Sequence, residues 1–498
     1  MDYKYIDVPN NLSFNDIKDN NFCFAPSKYT RFYPKNNIQY KSLASIIKES
    51  TQKEKILRKN VYKYSEIGDI DIYSGIIDNK EKHGYYLNSS SIKSIKKDDI
   101  LISTVRTYRG GIGIVTDTDE NLVCSSAIMV LRELKEEIDR YYILAVLKSK
   151  FFIEQILGFQ NRGLYPRLDK ESMDYVQIPI PKQDNLIKYI SILMKAYINK
   201  QKLIREKYNK ILKIIDNELL SNQKKVEYSF QYPKYDEILI RGRLDTNLYK
   251  NDFREIENTI LNYKNGYKNV YELGFTMSRG QNLQVSSIGK SIYSKSYHEG
   301  FYRLILPKYI SKYGIVDTVE YLGNRKKLKT LKNGDLVFGA EGFEKGRSLV
   351  ILDDDSSITN IHGIVLKNNN VKLSIFLKCI LDYLRDKGLI DLFAVGGNGG
   401  SLAQQYWSEI PIPNFNNTVQ NNIISLYYNF EIKYNPKSCT IDSFENYDNE
   451  FNCKAGIYDL DRSSRKLKTV IDIVLDKIIM GKEVTISFDF DKIEKWLY

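Results

Sequence analysis

The chain has 498 residues, 42% of them hydrophobic, with 74 Lys and Arg against 62 Asp and Glu and a net charge of +12. That length calls for two or three domains, and the apolar content excludes a disordered chain. No apolar run reaches the roughly 18 residues of a membrane span, no secretory leader pattern opens the sequence, and the expected location is the cytoplasm. Five scattered Cys and three His show neither a disulfide frame nor metal-ligand spacing.

A basic balance favours a polyanionic partner such as nucleic acid. Abundant Lys, Ile, Asn and Tyr are also what an AT-rich genome produces, so charge alone does not decide. Residues 182–225 hold eleven Lys and Arg against four Asp and Glu, a net +7 out of the +12.

In chain order, residues 37–48 read as a strand leading to a short helix, and residues 61–77 carry β-type residues interrupted by Gly68 and Gly75. Residues 96–134 contain three apolar runs, 100–105, 112–115 and 127–131, parted by turn residues, which predicts strands. Helical spacing follows over 136–157, then a polar loop at 158–169 and an Ile-Pro-Ile-Pro tetrad at 178–181. Residues 185–220 contain no Gly or Pro, and apolar residues recur at Leu186, Ile190, Leu193, Tyr197, Ile204, Ile211 and Ile214, with missed beats at Lys200 and Lys207. This predicts a coiled-coil-like amphipathic helix of about 50 Å, less tightly packed in its middle, that needs a partner for its seam.

The order then repeats. Residues 271–282 read as strand and loop, 301–316 follow the rhythm of 61–77, and 332–367 parallel 96–134. A helical stretch over 373–393 and a Gly-rich loop over 396–407 precede a second Ile-Pro-Ile-Pro at 410–413. The two tetrads lie 232 residues apart and the matching Asp99 and Asp335 lie 236 apart. So constant an offset predicts an internal duplication. Residues 418–433 and 462–480 read as helical, with seams at Val419, Ile423, Leu426 and Phe430 and at Leu467, Val470, Val474 and Ile478. Residues 434–455 between them read as irregular.

Catalytic machinery is not legible. The chain has no adjacent Pro pair, which an amino-methyltransferase loop requires. Gly289-Lys290-Ser291 ends like a phosphate-binding loop, but Gln284 stands where its first Gly belongs. Glu133-Leu134-Lys135 has nuclease-like spacing without the preceding acidic strand, and the Gly run at 396–400 lacks a dinucleotide-site context. No catalytic and no metal-binding residue is expected.

DNA-binding side chains are better supplied. Phosphates need cations, and base edges need flat multidentate groups such as Arg, Asn and Gln. In the first half, Arg106, Tyr108 and Arg109 share one turn, and Asn161, Arg162, Tyr165 and Arg167 share one loop. In the second half the candidates are Arg279, Gln281 and Asn282, then Arg325 and Lys326, then Lys345 and Arg347, then Asn398, Ser401, Gln404 and Gln405. Each alone is as consistent with an ordinary polar loop; the clustering into paired loops is the signal.

This arrangement resembles the specificity subunit of type I restriction-modification systems. The resemblance is carried by D-I-L-I-S-T-V-R at residues 99–106 with Gly110 and Gly111, by G-D-L-V-F-G at 334–339, by the two Ile-Pro-Ile-Pro tetrads with helices after them, and by R-L-D-T-N-L-Y at 243–249. It implies an α/β fold of mixed α+β type, with two similar target recognition domains, 1–183 and 223–413. These would be separated by long antiparallel, coiled-coil-like spacer helices: a central one at 184–222 and a C-terminal helical region, 414–498, pairing with it. It further implies a non-catalytic subunit that reads a bipartite site in double-stranded DNA. Such a subunit recruits two methyltransferase subunits and restriction or motor subunits for phage defence, without a membrane partner. No cofactor is expected on this chain; S-adenosylmethionine, ATP and magnesium are expected on the partners. A helix of ~50 Å implies half-site centres roughly one to one and a half DNA turns apart. The sequence departs from the family in its broken second spacer helix and in Arg31-Phe32-Tyr33, a loose match to the R-L-D opening. The competing readings are a related defence system's specificity subunit, a stand-alone nuclease or methyltransferase, and a protein-binding scaffold.

Overall fold

The computed structural model describes residues 4–7, 11–19, 22, 29, 31–32, 38–87, 91–157, 168, 170, 172–225, 228–342, 344–353, 356–395 and 400–490. The chain divides into two units, each assembled from separate segments. The first is Met1–Lys202, Asn435–Glu450 and Ser463–Ile493; the second is Leu203–Tyr434, Phe451–Arg462 and Glu494–Tyr498. The central helix, Asp184–Ser221, contributes residues to both.

In the first unit an antiparallel sheet runs in the order Ile47–Glu49, Ile128–Leu134, Ile100–Ser103, Ile112–Ile114. A second sheet runs Lys80–His83, Val61–Ser65, Leu122–Cys124, Lys93–Ser94, with Val61–Ser65 and Leu122–Cys124 parallel. Leu101, Val130 and Ile128 meet Ile70, Ile77 and Leu122 in one core. Their strand neighbours Ile100, Ile102, Met129 and Leu131 are buried as well. Burial on both faces explains why these strands read as continuous apolar runs and not as alternating ones. Leu122–Cys124 lies in a stretch the sequence reading gave to turns. The helical segment over 136–157 is two helices, Arg140–Leu147 and Lys150–Leu157, parted where Ser149 Oγ donates back to the carbonyl of Val146 at 2.6 Å.

The second unit repeats this plan. One sheet runs Thr276–Arg279, Gly363–Lys367, Leu336–Gly339, Ser348–Val350; the other runs Ser291–Ser294, Tyr321–Asn324, Tyr302–Leu304, Ser357–Ile358, again with one parallel pair. Each tetrad contributes a strand to a two-stranded sheet: Gln177–Ile180 pairs with Gln39–Ser42, and Ile412–Pro413 with Tyr267–Lys268. Such two-stranded ribbons tolerate Pro because only one ladder edge is used. The duplication extends to side chains. Gly75 at φ 78 and Gly314 at φ 74 leave space that Lys148 Nζ and Lys378 Nζ occupy, 3.1 and 2.3 Å from where a Cβ would stand. At the R-L-D opening, Arg243 forks onto Asp245 through Nε–Oδ1 and Nη2–Oδ2 bonds, both 2.7 Å.

The C-terminal region departs most from expectation. Residues 434–455, read as irregular, contain the helix Phe444–Lys454, and the last long helix begins earlier than expected, at Ile457–Ile479. Within the first unit Lys188, Lys195 and Lys200 pair in order with Asp442, Glu445 and Asp448, so this short segment runs parallel to the central helix. The last helix runs back, with Gln201 Nε2 donating to Ser464 Oγ at 2.9 Å while Tyr189 stacks edge-on against Phe488. The helix Asn417–Tyr427 packs on Val371–Asp386 of the second unit.

The missed beat at Lys200 is not looseness. Its ammonium is fully buried 2.8 Å from Asp448, itself 4% exposed. In the second unit the seam continues through Ile204, Tyr208, Ile211, Ile215 and Leu219, so Ile215 takes the buried place expected of Ile214.

Two predictions follow from these buried charges. Asp99 accepts from Arg132 Nε at 3.0 Å, from Arg132 Nη2 at 2.8 Å and from the amide of Lys96, whereas its counterpart Asp335 holds the Lys332 amide but only a 3.9 Å contact to Lys367. Asp99→Ala leaves the largely buried Arg132 guanidinium only Gln52 Oε1 and the Ser94 carbonyl and should cost about 3 kcal/mol in urea unfolding. Asp335→Ala should cost about 1–2 kcal/mol, chiefly a lost hydrogen bond. Lys200 is the second case: burial pulls its pKa down to about 8, against the upward pull of Asp448. The unfolded chain then holds the proton more tightly than the folded one. Stability relative to Lys200→Met should rise as pH climbs from about 8 and level off above the ordinary lysine value. Thermal melts across that window check the sign.

Candidate nucleic-acid interface

In each unit one peptide gathers the candidate loops. Thr104 donates its N–H to the carbonyl of Ala127 at 2.9 Å and accepts from the N–H of Leu168 at 2.8 Å. In the second unit Ala340 donates to His362 at 3.2 Å and accepts from Leu402 at 2.9 Å. A hairpin end, the turn before it in the chain and the end of the long polar loop thus converge on the same backbone position.

In the first unit the turn is rigidly built. Arg106 adopts a left-handed conformation, φ 51, and caps the short helix Thr107–Arg109. Thr107 is buried, its hydroxyl donating to the Ser103 carbonyl at 2.6 Å, and Gly110 continues at φ 84. A Cβ on Gly111 would stand 2.9 Å from that of Ser103, so the chain passes there only without a side chain. The turn points Tyr108, 37% exposed, and Arg109 to solvent, with Arg106 half-buried. A flat ring and a cation on a fixed turn suit a duplex groove. Asn161, Arg162, Tyr165 and Arg167 lie outside the described residues, as does Asn398 in the second unit.

Described residues of the second unit line two adjoining cavities. The larger, of about 570 Å³, is lined by Glu341, His362, Asn360, Ser401 and Lys308 among others. Glu341 is its hub: Oε1 accepts from Arg279 Nη1 at 2.8 Å, and Oε2 bonds His362 Nδ1 at 2.6 Å. Partial burial pushes the Glu341 carboxyl up, but the hydrogen bonds from His362 and Arg279 outweigh it and hold the group below its usual value. The smaller cavity, about 380 Å³, is lined by Arg279, Lys327, Lys329 and Lys367 with Ser278, Thr330 and Gln281, and by no carboxylate. Four cations around hydroxyl and amide groups suit a phosphate oxygen.

The remaining candidates are placed as follows. Gln281 lines the smaller cavity, but its side-chain oxygen accepts from the Lys329 amide at 2.9 Å. Asn282 closes a local turn onto the Gln284 amide at 3.0 Å. Arg325 is exposed, while Lys326, also exposed, donates to the Ser287 carbonyl at 3.0 Å. Gln404 and Gln405 are exposed on the short helix Gln404–Ser408. Lys345 and Arg347 do not present themselves as expected. The Lys345 side chain is 7% exposed and paired with Asp391 at 3.0 Å, and Arg347 Nη1 donates to the Ile310 carbonyl at 3.1 Å. Their turn needs Gly346 at φ 82, which folds both side chains back onto the unit.

Glu341, His362, Asn360, Lys327, Lys329 and Lys367 escaped the sequence reading. A signal for one of them was present. Setting residues 362–367 against 127–132 position by position puts His362 opposite Ala127, a polar ring where the other repeat has a methyl. Among the described residues, no cluster of His, Cys, Asp and Glu has the geometry to hold a metal ion, and no helix is long and apolar enough to cross a membrane.

Residues 35–213 match the family model of the type I restriction modification DNA specificity domain. No curated protein matches significantly. Among solved structures, the chain is similar to the type I restriction-modification S subunit from M. genitalium, at 14% identity over 91% of this chain and 98% of that one, TM-score 0.44. It is similar to the HsdS subunit from Thermoanaerobacter tengcongensis, at 15% identity over 91% and 99%, TM-score 0.32. A third similar chain comes from work on complex assembly and conformational transition of the type I R-M system, at 14% identity over 91% and 100%, TM-score 0.33. The family match takes in both sheets of the first unit, the Gln177–Ile180 strand and most of the central helix. The family that the sequence resembles is thus the one whose model residues 35–213 match, the type I restriction modification DNA specificity domain.

Proposed function

We propose that this chain is the non-catalytic specificity subunit of a type I restriction-modification complex, and that each of its two units reads one half of a bipartite site in double-stranded DNA. The observation that carries the proposal is the doubled plan: the same two sheets and the same loop-gathering peptide occur twice, with different side chains at equivalent turns. A shared scaffold with changed loop residues is what reading two different sequences requires. The +12 charge and the cationic cavity supply phosphate attraction. Recruited methyltransferase and restriction subunits, with their S-adenosylmethionine, ATP and magnesium, supply the chemistry.

The test is selection of a randomised duplex library by the full-length chain, followed by sequencing of the bound fraction. The expected outcome is a motif in two blocks, with affinity falling by about 10³-fold or more between 50 and 200 mM salt if six or more phosphates are contacted. Arg109→Ala should alter one block and leave the other intact. A single block, or a change in both blocks from that one substitution, would contradict one half-site per unit.

A further inference from the structure

We infer that His362 reads a base edge of the second unit's half-site through Nε2, and that Glu341 sets it to accept a hydrogen bond. The inference rests on the DNA-reading function proposed above and assigns one contact within it.

The geometry fixes the proton. Glu341 Oε2 lies 2.6 Å from His362 Nδ1, and Arg279 Nη1 holds the other carboxylate oxygen at 2.8 Å. An ionised carboxylate only accepts, so the proton between Glu341 and the ring belongs to Nδ1. In the neutral ring Nε2 then carries none and is an acceptor. The ring is 56% exposed and lines the 570 Å³ cavity beside Ser401 and Asn360, so one edge is tied down and the other is open.

The backbone beneath the ring is equally fixed. The His362 carbonyl accepts from Ala340, the Gly363 amide bonds back to Asn360 at 3.0 Å, and Arg279 Nη1 also reaches the Ile361 carbonyl at 3.1 Å. Nothing larger than Gly fits at 280, where a Cβ would stand 2.1 Å from the Asn360 carbonyl oxygen. A side chain held on so rigid a turn loses little freedom on binding. In the first unit the same turn position is Ala127, whose carbonyl makes the equivalent bond to Thr104. The contact therefore belongs to the second unit alone. The adjoining cationic cavity shares Arg279 with this cluster, so the same hub borders a site suited to a neighbouring phosphate.

An acceptor in the major groove pairs with the exocyclic amines of adenine or cytosine, because guanine and thymine offer acceptors at the corresponding atoms. The bland alternative is a surface ion pair that only steadies the turn. Such a pair would affect melting and leave base preference untouched.

The experiment compares the bound fractions of a randomised duplex library selected by the wild-type chain, His362→Ala and Glu341→Gln, each also checked by thermal melting. The wild type should require adenine or cytosine at one position of one block. His362→Ala should lose that preference by roughly tenfold or more at that position only, with the other block unchanged and the melt nearly so. Glu341→Gln brings an amide that can donate to Nδ1 and so permits a proton on Nε2. It should admit guanine or thymine at the same position. If the wild type selects two blocks and both variants select the same motif at the same strength, the inference is overturned while the proposed function stands. If the wild type selects no motif, both are overturned.

Discussion

The candidate interface of each unit depends on the peptide of one residue, Thr104 in the first and Ala340 in the second. Its N–H is spent on the hairpin end at Ala127 or His362, and its carbonyl on Leu168 or Leu402. Buried backbone groups have to be paired, so a loop that must vary in sequence is best held by bonds that involve no side chain. Both units use this solution. The residues that follow the shared peptide then differ freely: a turn with Tyr108 and Arg109 in one, a carboxylate hub at Glu341 in the other.

The same logic explains which cations face outward. Arg109 follows a buried Thr107 and precedes Gly110 at positive φ and Gly111, which passes close to Ser103, so the chain turns with its long side chains outside. Around Lys345 the Gly fall at 342 and 346, both at positive φ, and Lys345 and Arg347 turn to Asp391 and the Ile310 carbonyl. Both turns carry cations and positive-φ glycines, and the partners each side chain finds decide which charges remain exposed.

In the first unit the central helix is held by charge as well as by its apolar seam. Lys188 and Lys195 make exposed pairs, which add little, while Lys200 is buried against Asp448. A buried pair is weak evidence for stability but strongly favours one alignment over a slipped one, because a shift would leave both charges unpaired. Hydrophobic periodicity registers such a position as a gap, although the packing there is tight.

By itself, the sequence determined the duplicated order of strands, the paired tetrads, the central helix and the resemblance that the match over residues 35–213 repeats. Those features rest on local properties: side-chain periodicity, turn-forming Gly and Pro, and short motifs at a constant offset. Of the candidate residues, Arg279 and Gln281 line the smaller cavity and Ser401 the larger, and Arg279 reaches the larger through its bond to Glu341. Tertiary structure alone decided the partners of buried and half-buried charges. Asp448 comes to Lys200 from a segment too polar to show a helical stripe, and Glu341 joins Arg279 to His362 from three different elements. Burial gives such pairs their energy, and burial depends on what folds over a residue, which no local pattern records.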